Sequence, residues 1–418
     1  MASEIKLEEL IDKITDRRVK MQKVIILFSA AILFLAPVAK SQELGANFNQ
    51  FLGRPVEFIE QMEQNEITYV RAFIDFMDYF LILDEDRKIS GVDLDAIRNH
   101  KPSEQFAAVK DKSEGRLKLI SSFKIRFDIC KGDVPPLHSQ QMEYVFTAAE
   151  EFLKSYNIGE KISILVMGNE PMFASGRDSK DYARFINELA DRIAGWKKKY
   201  GWDFLVFAGS LNKVSFSKHP TIPEVIKVAK RNTNIDGLDI HIHARERKHL
   251  WEDFRFIREK AGFRKKLICT EFSVVWIFQG HLADPLGEWG EKNGFDPDMK
   301  LCEWLTMLSG RAENGNPVSP EVFEDYFESR PWYPEDWYKT FYDACKKYDV
   351  FATSGRTFCD MGAKKFTEDS KMWCLGSVFS GKFMGKNEDG DQNPSPLLYP
   401  EFKAAVEEAG QLQSKQSE

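Results

Sequence analysis

Several signatures are missing from this 418-residue chain, and each absence removes a class of function. Basic residues are not in excess: the net charge is −7 and the isoelectric point about 5.7. A nucleic-acid binder needs a positive footprint, so that class of partner is set aside. No Cys-x-x-Cys pair occurs. The six cysteines, Cys130, Cys269, Cys302, Cys345, Cys359 and Cys374, stand singly, which excludes a zinc ribbon and gives no ground for assigning a disulfide. Neither a Gly-x-Gly-x-x-Gly nor a phosphate-binding Gly-rich loop follows any strand-like run, so the usual nucleotide fingerprints are absent. The Gly-x-Ser-x-Gly elbow of a serine hydrolase is absent too. There is no internal repeat, heptad run or low-complexity segment. What remains is a globular composition, 43% hydrophobic and 29% charged, that is rich in aromatics, with 33 Phe and 9 Trp.

Only one long apolar run is present, Val24–Ala39, broken by Ser29 and Pro37. Lys20 and Lys23 precede it, and Ala39-Lys40-Ser41 puts small residues at the two positions a signal peptidase reads. Sixteen residues fall short of the roughly 20 that a membrane-spanning helix needs. The expectation is a signal peptide over Met21–Ser41, cleaved to leave a chain from Gln42 that is exported to a periplasmic, cell-surface or extracellular location, with no stable membrane span. The polar segment Met1–Lys20 in front is explained by a true start at Met21, or else the run is an uncleaved signal anchor. Residues 1–41 are thus a leader, and 42–418 form one domain.

That domain alternates short apolar runs with amphipathic stretches. Strands are expected at Gly45–Phe51, Ile67–Asp75, Leu117–Ile125, Lys161–Gly168, Phe204–Gly209, Gly237–His243 and Leu267–Phe272. An eighth lies at Val350–Ser354 or at Met372–Phe379. Helices are expected between them, the clearest being Tyr182–Tyr200, whose apolar residues recur at three- and four-residue steps behind a possible Ser179 cap. A long connection from Val274 to Tyr348 holds three helices, and Pro400–Ala409 is the last, followed by a frayed tail. Strand then helix, eight times over, is the pattern of an α/β fold with a parallel sheet. It predicts a (β/α)8 TIM barrel with an elaborated connection after the seventh strand; an open doubly wound sheet is the rival.

In a barrel the carboxyl ends of the strands converge on one mouth. The fourth strand ends Gly168-Asn169-Glu170-Pro171 and the seventh Cys269-Thr270-Glu271-Phe272; the second carries Arg71 and the sixth ends His241-Ile242-His243. Two Glu three strands apart can face each other across the mouth. Cleaving a glycosidic bond asks for such a pair, one carboxylic acid to protonate the leaving oxygen and one carboxylate to attack or to activate water. The donor needs a raised pKa, and the nucleophile must stay ionised, which Arg71 can ensure.

The Asn169-Glu170-Pro171 and Glu271 motifs resemble the large clan of retaining β-glycosidases on (β/α)8 barrels that includes glycoside hydrolase families 5 and 39. The resemblance covers the layout of the whole domain but only short motifs in sequence. It implies Glu170 as acid/base and Glu271 as nucleophile, with Asn169 bonding the sugar 2-hydroxyl and Arg71 bonding the nucleophile. The chain departs from the pattern at two places. His243 stands where many of these enzymes have a Tyr, and no Trp is placed clearly at the end of the eighth strand, Trp373 lying near the start of one candidate. An oligosaccharide or polysaccharide substrate follows, and no cofactor or metal enters the scheme.

Among the aromatics near strand ends, Trp276 is the leading candidate for stacking on a sugar face, ahead of Phe173, Phe278, Trp332, Tyr333 and Trp337. The acidic balance weighs weakly against a polyanionic substrate. Two other readings stand beside the hydrolase: a non-catalytic carbohydrate-binding barrel, and a metal-dependent hydrolase around His241 and His243, which share one side of a strand above Asp239.

Overall fold

The computed structural model describes residues 43–130, 134–174, 179–360 and 365–417. Eight strands pair in parallel and close on themselves: Glu43–Asn47, Tyr69–Asp75, Lys118–Lys124, Ile162–Met167, Leu205–Asn212, Gly237–His243, Lys266–Ser273 and Val350–Thr357. Each pairs with its neighbours in chain order, and the eighth returns to the first with Ala352 opposite Glu43. This is the (β/α)8 barrel, not the open sheet. They are called here the first to eighth barrel strands.

Parallel pairing needs a crossover between strands, which the helices supply. Strand side chains alternate between two faces, so the apolar residues divide into two bodies. Inside the barrel, Tyr69, Ile120, Ile164, Val166, Phe207, Ile268 and Ala352 form one plug. Outside it, Val70, Leu119, Leu165, Leu238 and Leu267 join the larger body of core shared with the helices. The helix Ser179–Tyr200 turns Tyr182, Phe185, Ile186, Leu189 and Ile193 inward, all fully buried. Ser179 is its first residue rather than its cap.

Element ends differ from the sequence expectation where the chain passes from barrel to mouth. The first strand stops at Asn47 instead of Phe51, and the fifth runs on to Asn212. The eighth is Val350–Thr357, whereas Met372–Phe379 holds a short 3-10 turn, Trp373–Gly376. A small antiparallel pair, Leu81–Leu83 with Ile89–Val92, was not anticipated; its polar turn hides the pairing. The long connection carries five helices, Val275–Gln279, Gly287–Lys292, Leu301–Glu313, Pro320–Glu328 and Trp337–Lys347. The last helix, Tyr399–Ser417, continues through the tail that reads as frayed. All six cysteines are buried and free. No helix among the described residues is long and apolar enough to cross a membrane. The proposed signal, Met21–Ser41, lies outside the described residues.

Candidate active site

Two backbone irregularities aim the two glutamates. Strict alternation along the seventh strand would send Glu271 outward, because Ile268 and Thr270 face the barrel interior. The register against the sixth strand slips between Ile240 and His241: Ile240 lies opposite Cys269, but His241 opposite Glu271. That bulge adds one residue and turns Glu271 into the mouth, next to Thr270. At the end of the fourth strand, Gly168 has φ +116°, and a Cβ there would meet the Gly209 carbonyl oxygen at 2.1 Å. Glu170 follows in the left-handed region at φ 52°, its N–H donating to the Ser210 carbonyl at 2.9 Å. A bulky residue held there stores strain, which the surrounding bonds must outweigh.

Arg71 is the hub. It is completely buried, and its guanidinium donates to four partners: Glu271 Oε1 at 2.6 Å, Asn169 Oδ1 at 2.7 Å, Asn47 Oδ1 at 3.1 Å and Ser122 Oγ at 3.1 Å. These come from the seventh, first and third strands and the turn after the fourth. Asn169 is thus left with its amide N–H groups to offer a substrate. Glu170 Oε1 accepts from Asn212 Nδ2 at 2.6 Å. The side chains of Glu170 and Glu271 stay 24% and 13% exposed, so a ligand in the cleft reaches both.

The two histidines sit between the carboxylates. His241 Nδ1 lies 3.4 Å from Glu170 Oε1 and 3.7 Å from Glu271 Oε2, and His243 Nε2 lies 3.6 and 3.5 Å from the same two oxygens. Each ring is steadied from behind. His241 Nε2 meets Thr270 Oγ1 at 3.1 Å, and Thr270 in turn donates to Asp239 Oδ2 at 2.5 Å, which Ser210 also reaches. Since Thr270 spends its hydroxyl hydrogen on Asp239, His241 Nε2 is the donor of that pair. His243 Nδ1 meets Ser273 Oγ at 2.8 Å.

These contacts set the charges. Burial pushes the Glu170 carboxyl up, but bonds to His241 and His243, and their charges, outweigh it and leave the group well below the usual range. Burial also pushes Glu271 up, and the charges of His241 and Arg71 with the His243 bond bring it down to about 2. His243 is lowered by burial and raised more strongly by its two carboxylate partners, to about 9. The resting site therefore keeps Glu170 ionised, opposite to the raised value expected of a proton donor.

Of the residues expected from the sequence, Arg71, Asn169, Glu170, His241, His243 and Glu271 meet here, whereas Trp276 lines a neighbouring pocket together with Arg245. Trp276 sits on the helix just after the seventh strand, half-buried under Lys213, Arg245 and Lys371. Phe173 is 56% exposed beside the two glutamates, whereas Phe278 and Trp337 are core, and Trp332 stacks on His281 at 4.3 Å. A tryptophan does stand in the mouth: Trp373 packs edge-on against His243 at 5.1 Å. It comes from the connection after the eighth strand, not from the strand, so spacing along the sequence hid it. Asn47, Ser122, Asn212, Thr270 and Ser273 were also missed, because short polar residues in strands carry no signal of their own. The cleft, about 620 Å³, is further lined by Asn49, Phe51 and Lys371.

No model of a known protein family matches the chain, and no curated protein matches it. Among solved structures, it is similar to the endo-beta-1,4-mannanase from Thermotoga petrophila, with a TM-score of 0.50 and 12% identity over 89% of this chain and 77% of that one. The chain has the (β/α)8 barrel fold of that enzyme. The beta-glycosidase from Thermosphaera aggregans aligns at a TM-score of 0.47 and 9% identity, covering 89% of this chain and 98% of that one. A psychrophilic glycoside hydrolase family 10 endo-beta-1,4-xylanase aligns at 0.47 and 12%, covering 87% and 96%. At such identities the likeness is one of fold.

Proposed function

We propose that the protein is a glycoside hydrolase that cleaves a β-glycosidic bond with retention of configuration. The observation that carries this is Glu271 facing Glu170 across the barrel mouth with Arg71 bonded to it at 2.6 Å. The barrel fold shared with the mannanase agrees with it. Either imidazole nitrogen touches both carboxylates, so their near oxygens are no farther apart than the two legs through it. That ceiling on the nearest oxygens admits the retaining spacing of about 5–5.5 Å and also reaches the short end of the inverting range of about 6.5–9.5 Å.

In this mechanism Glu271 attacks the anomeric carbon while Glu170 protonates the departing oxygen. Glu170 then takes a proton from water, which releases the sugar from Glu271. The resting proton sits on His243, one contact from Glu170 Oε1. The pair thus holds one proton in two alternative places, and the competent form has it on Glu170. Activity requires that proton and an ionised Glu271. A pH series of kcat/KM should therefore be flat through neutrality. It should fall as pH rises through about 9, where the His243 proton is lost, and as pH falls towards about 2, where Glu271 takes one up. An alkaline limb centred below pH 7 would contradict the shared-proton scheme.

One observation favours a second reading. Glu170, His241 and His243 offer ligand atoms within 4.8 Å of one another, and both rings are bonded from behind as metal-bound imidazoles are. The sequence reading found the two His but not their third partner, which is a carboxylate. A metal-dependent hydrolase would lose turnover after dialysis against a chelator and regain it with zinc. The glycosidase proposed above keeps its full rate in chelator.

A further inference from the structure

Around Trp276 the charge of the molecule reverses. The chain is acidic overall, at −7, yet three cations converge on this one indole: Arg245 Cζ lies 5.3 Å from the ring centre, Lys371 Nζ 5.5 Å and Lys213 Nζ 5.6 Å. They come from three separate segments, after the fifth, sixth and eighth strands. Lys213 also stands over exposed Phe173 at 5.7 Å, and Lys371 lines the cleft that holds Glu170 and Glu271. Other cations of the cleft wall are matched: Lys124 and Arg126 share Asp75 at 3.3 and 2.9 Å. Among the described residues, no carboxylate lies within ion-pair distance of Lys213, Arg245 or Lys371. Burial and the charge of Arg245 push the Lys213 ammonium below its usual value, helped by Lys371, and the Glu170 carboxylate offsets them only in part. Three like charges cost free energy when gathered on one ring, beyond what cation–π attraction returns at an exposed site. A cation cluster without an ion-paired partner asks for a ligand that carries anionic oxygens.

We infer that the cleft takes an anionic glycan, with Trp276 stacking on a sugar ring and Lys213, Arg245 and Lys371 holding its carboxylate or sulfate groups. The inference rests on the carbohydrate reading of the site and adds the substrate class to it. It reverses the expectation drawn from net charge, because a ligand meets the local field and not the sum over the chain.

The test measures binding, so that it is independent of turnover. Calorimetric titration of the intact protein at low salt would compare three tetrasaccharides: β-1,4-linked mannose, β-1,4-linked mannuronic acid and a sulfated galactan. At least one anionic ligand should bind about tenfold or more tighter than the neutral one, as one or two charge-assisted contacts would supply. The advantage should shrink in 0.5 M salt, where screening is strong. The uronate and sulfate arms tell the two anion sources apart. Lys371→Gln and Arg245→Gln, both at exposed positions, should each erode the preference. Salt dependence of the wild-type protein reports the same effect without any substitution. Equal affinities, a neutral preference, or no binding by either anionic ligand overturns the inference. Preference without turnover would sink the hydrolase reading alone, and turnover without preference would sink this one alone.

Discussion

Glu271→Ala should remove turnover of β-glycosides, lowering kcat by on the order of 10⁴- to 10⁶-fold, the scale seen when a covalent nucleophile is deleted. The reason is geometric. Glu271 is the carboxylate that His241 and Arg71 keep ionised, and it stands where the bulge of the seventh strand presents it to the cleft. No other carboxylate on that wall can replace it, since Glu170 is needed to protonate the leaving oxygen. The alanine also leaves a hollow beside the anomeric carbon. Azide in that hollow should restore part of the rate and give a glycosyl azide of inverted configuration, because a single displacement then replaces two. In Glu170→Ala the same anion should give the retained product, since the glycosyl–Glu271 intermediate still forms first. Product stereochemistry by NMR separates the two roles. If Glu271→Ala keeps more than a tenth of the wild-type rate, Glu271 is not the nucleophile. If neither protein turns over any glycoside while both bind oligosaccharides equally well, the chain is a carbohydrate-binding barrel.

Arg71→Met should cost stability as well as activity. The side chain is fully buried and serves four acceptors from four different segments. Removing one partner of a buried ion pair typically costs about 3–5 kcal/mol, since the remaining charge stays behind without compensation. Here that charge is Glu271, and Asn47 and Asn169 lose a donor as well. Glu271 would also rise from about 2, because one of the two charges that offset its burial is gone. The acid limb of kcat/KM should move upward accordingly. Arg71→Lys keeps the charge but not the fork, so it should recover part of the stability and little of the positioning. Urea denaturation beside a pH–rate series checks both effects. A variant as stable as wild type, with its acid limb unmoved, would show that Arg71 does not organise the site.

Much of the site was legible because its chemistry is concentrated at strand ends. Long apolar runs such as Ile162–Met167 announce strands buried on both faces, and the residue that follows each run is placed at the mouth by topology alone. Asn169, Glu170, His243 and Glu271 follow from that rule, whereas Arg71 and His241 lie within their strands and Trp276 lies on the helix beyond the seventh. The rule is silent on what lies beyond the runs. Trp373 reaches His243 from an irregular connection, and the hairpin at 81–92 is too short and too polar to show a period. The exact facing of Glu271 was also beyond it, since alternation counted along the strand gives the wrong side.

By itself, then, the order of residues determined the architecture: eight strands, the helices that cross between them, and a pair of glutamates at two strand ends. These are properties of periodicity and of local chain direction, and they survive without any knowledge of packing. Only the tertiary structure decided how the carboxylates meet and what charge they carry. A one-residue slip in register turns Glu271 inward, a left-handed turn presents Glu170, and two histidines brought between them hold both carboxyls below their usual range. The gathering of Lys213, Arg245 and Lys371 on Trp276 belongs to the same class. Net charge is additive along a chain, whereas the field at a point depends on distance, and distance is set by the fold.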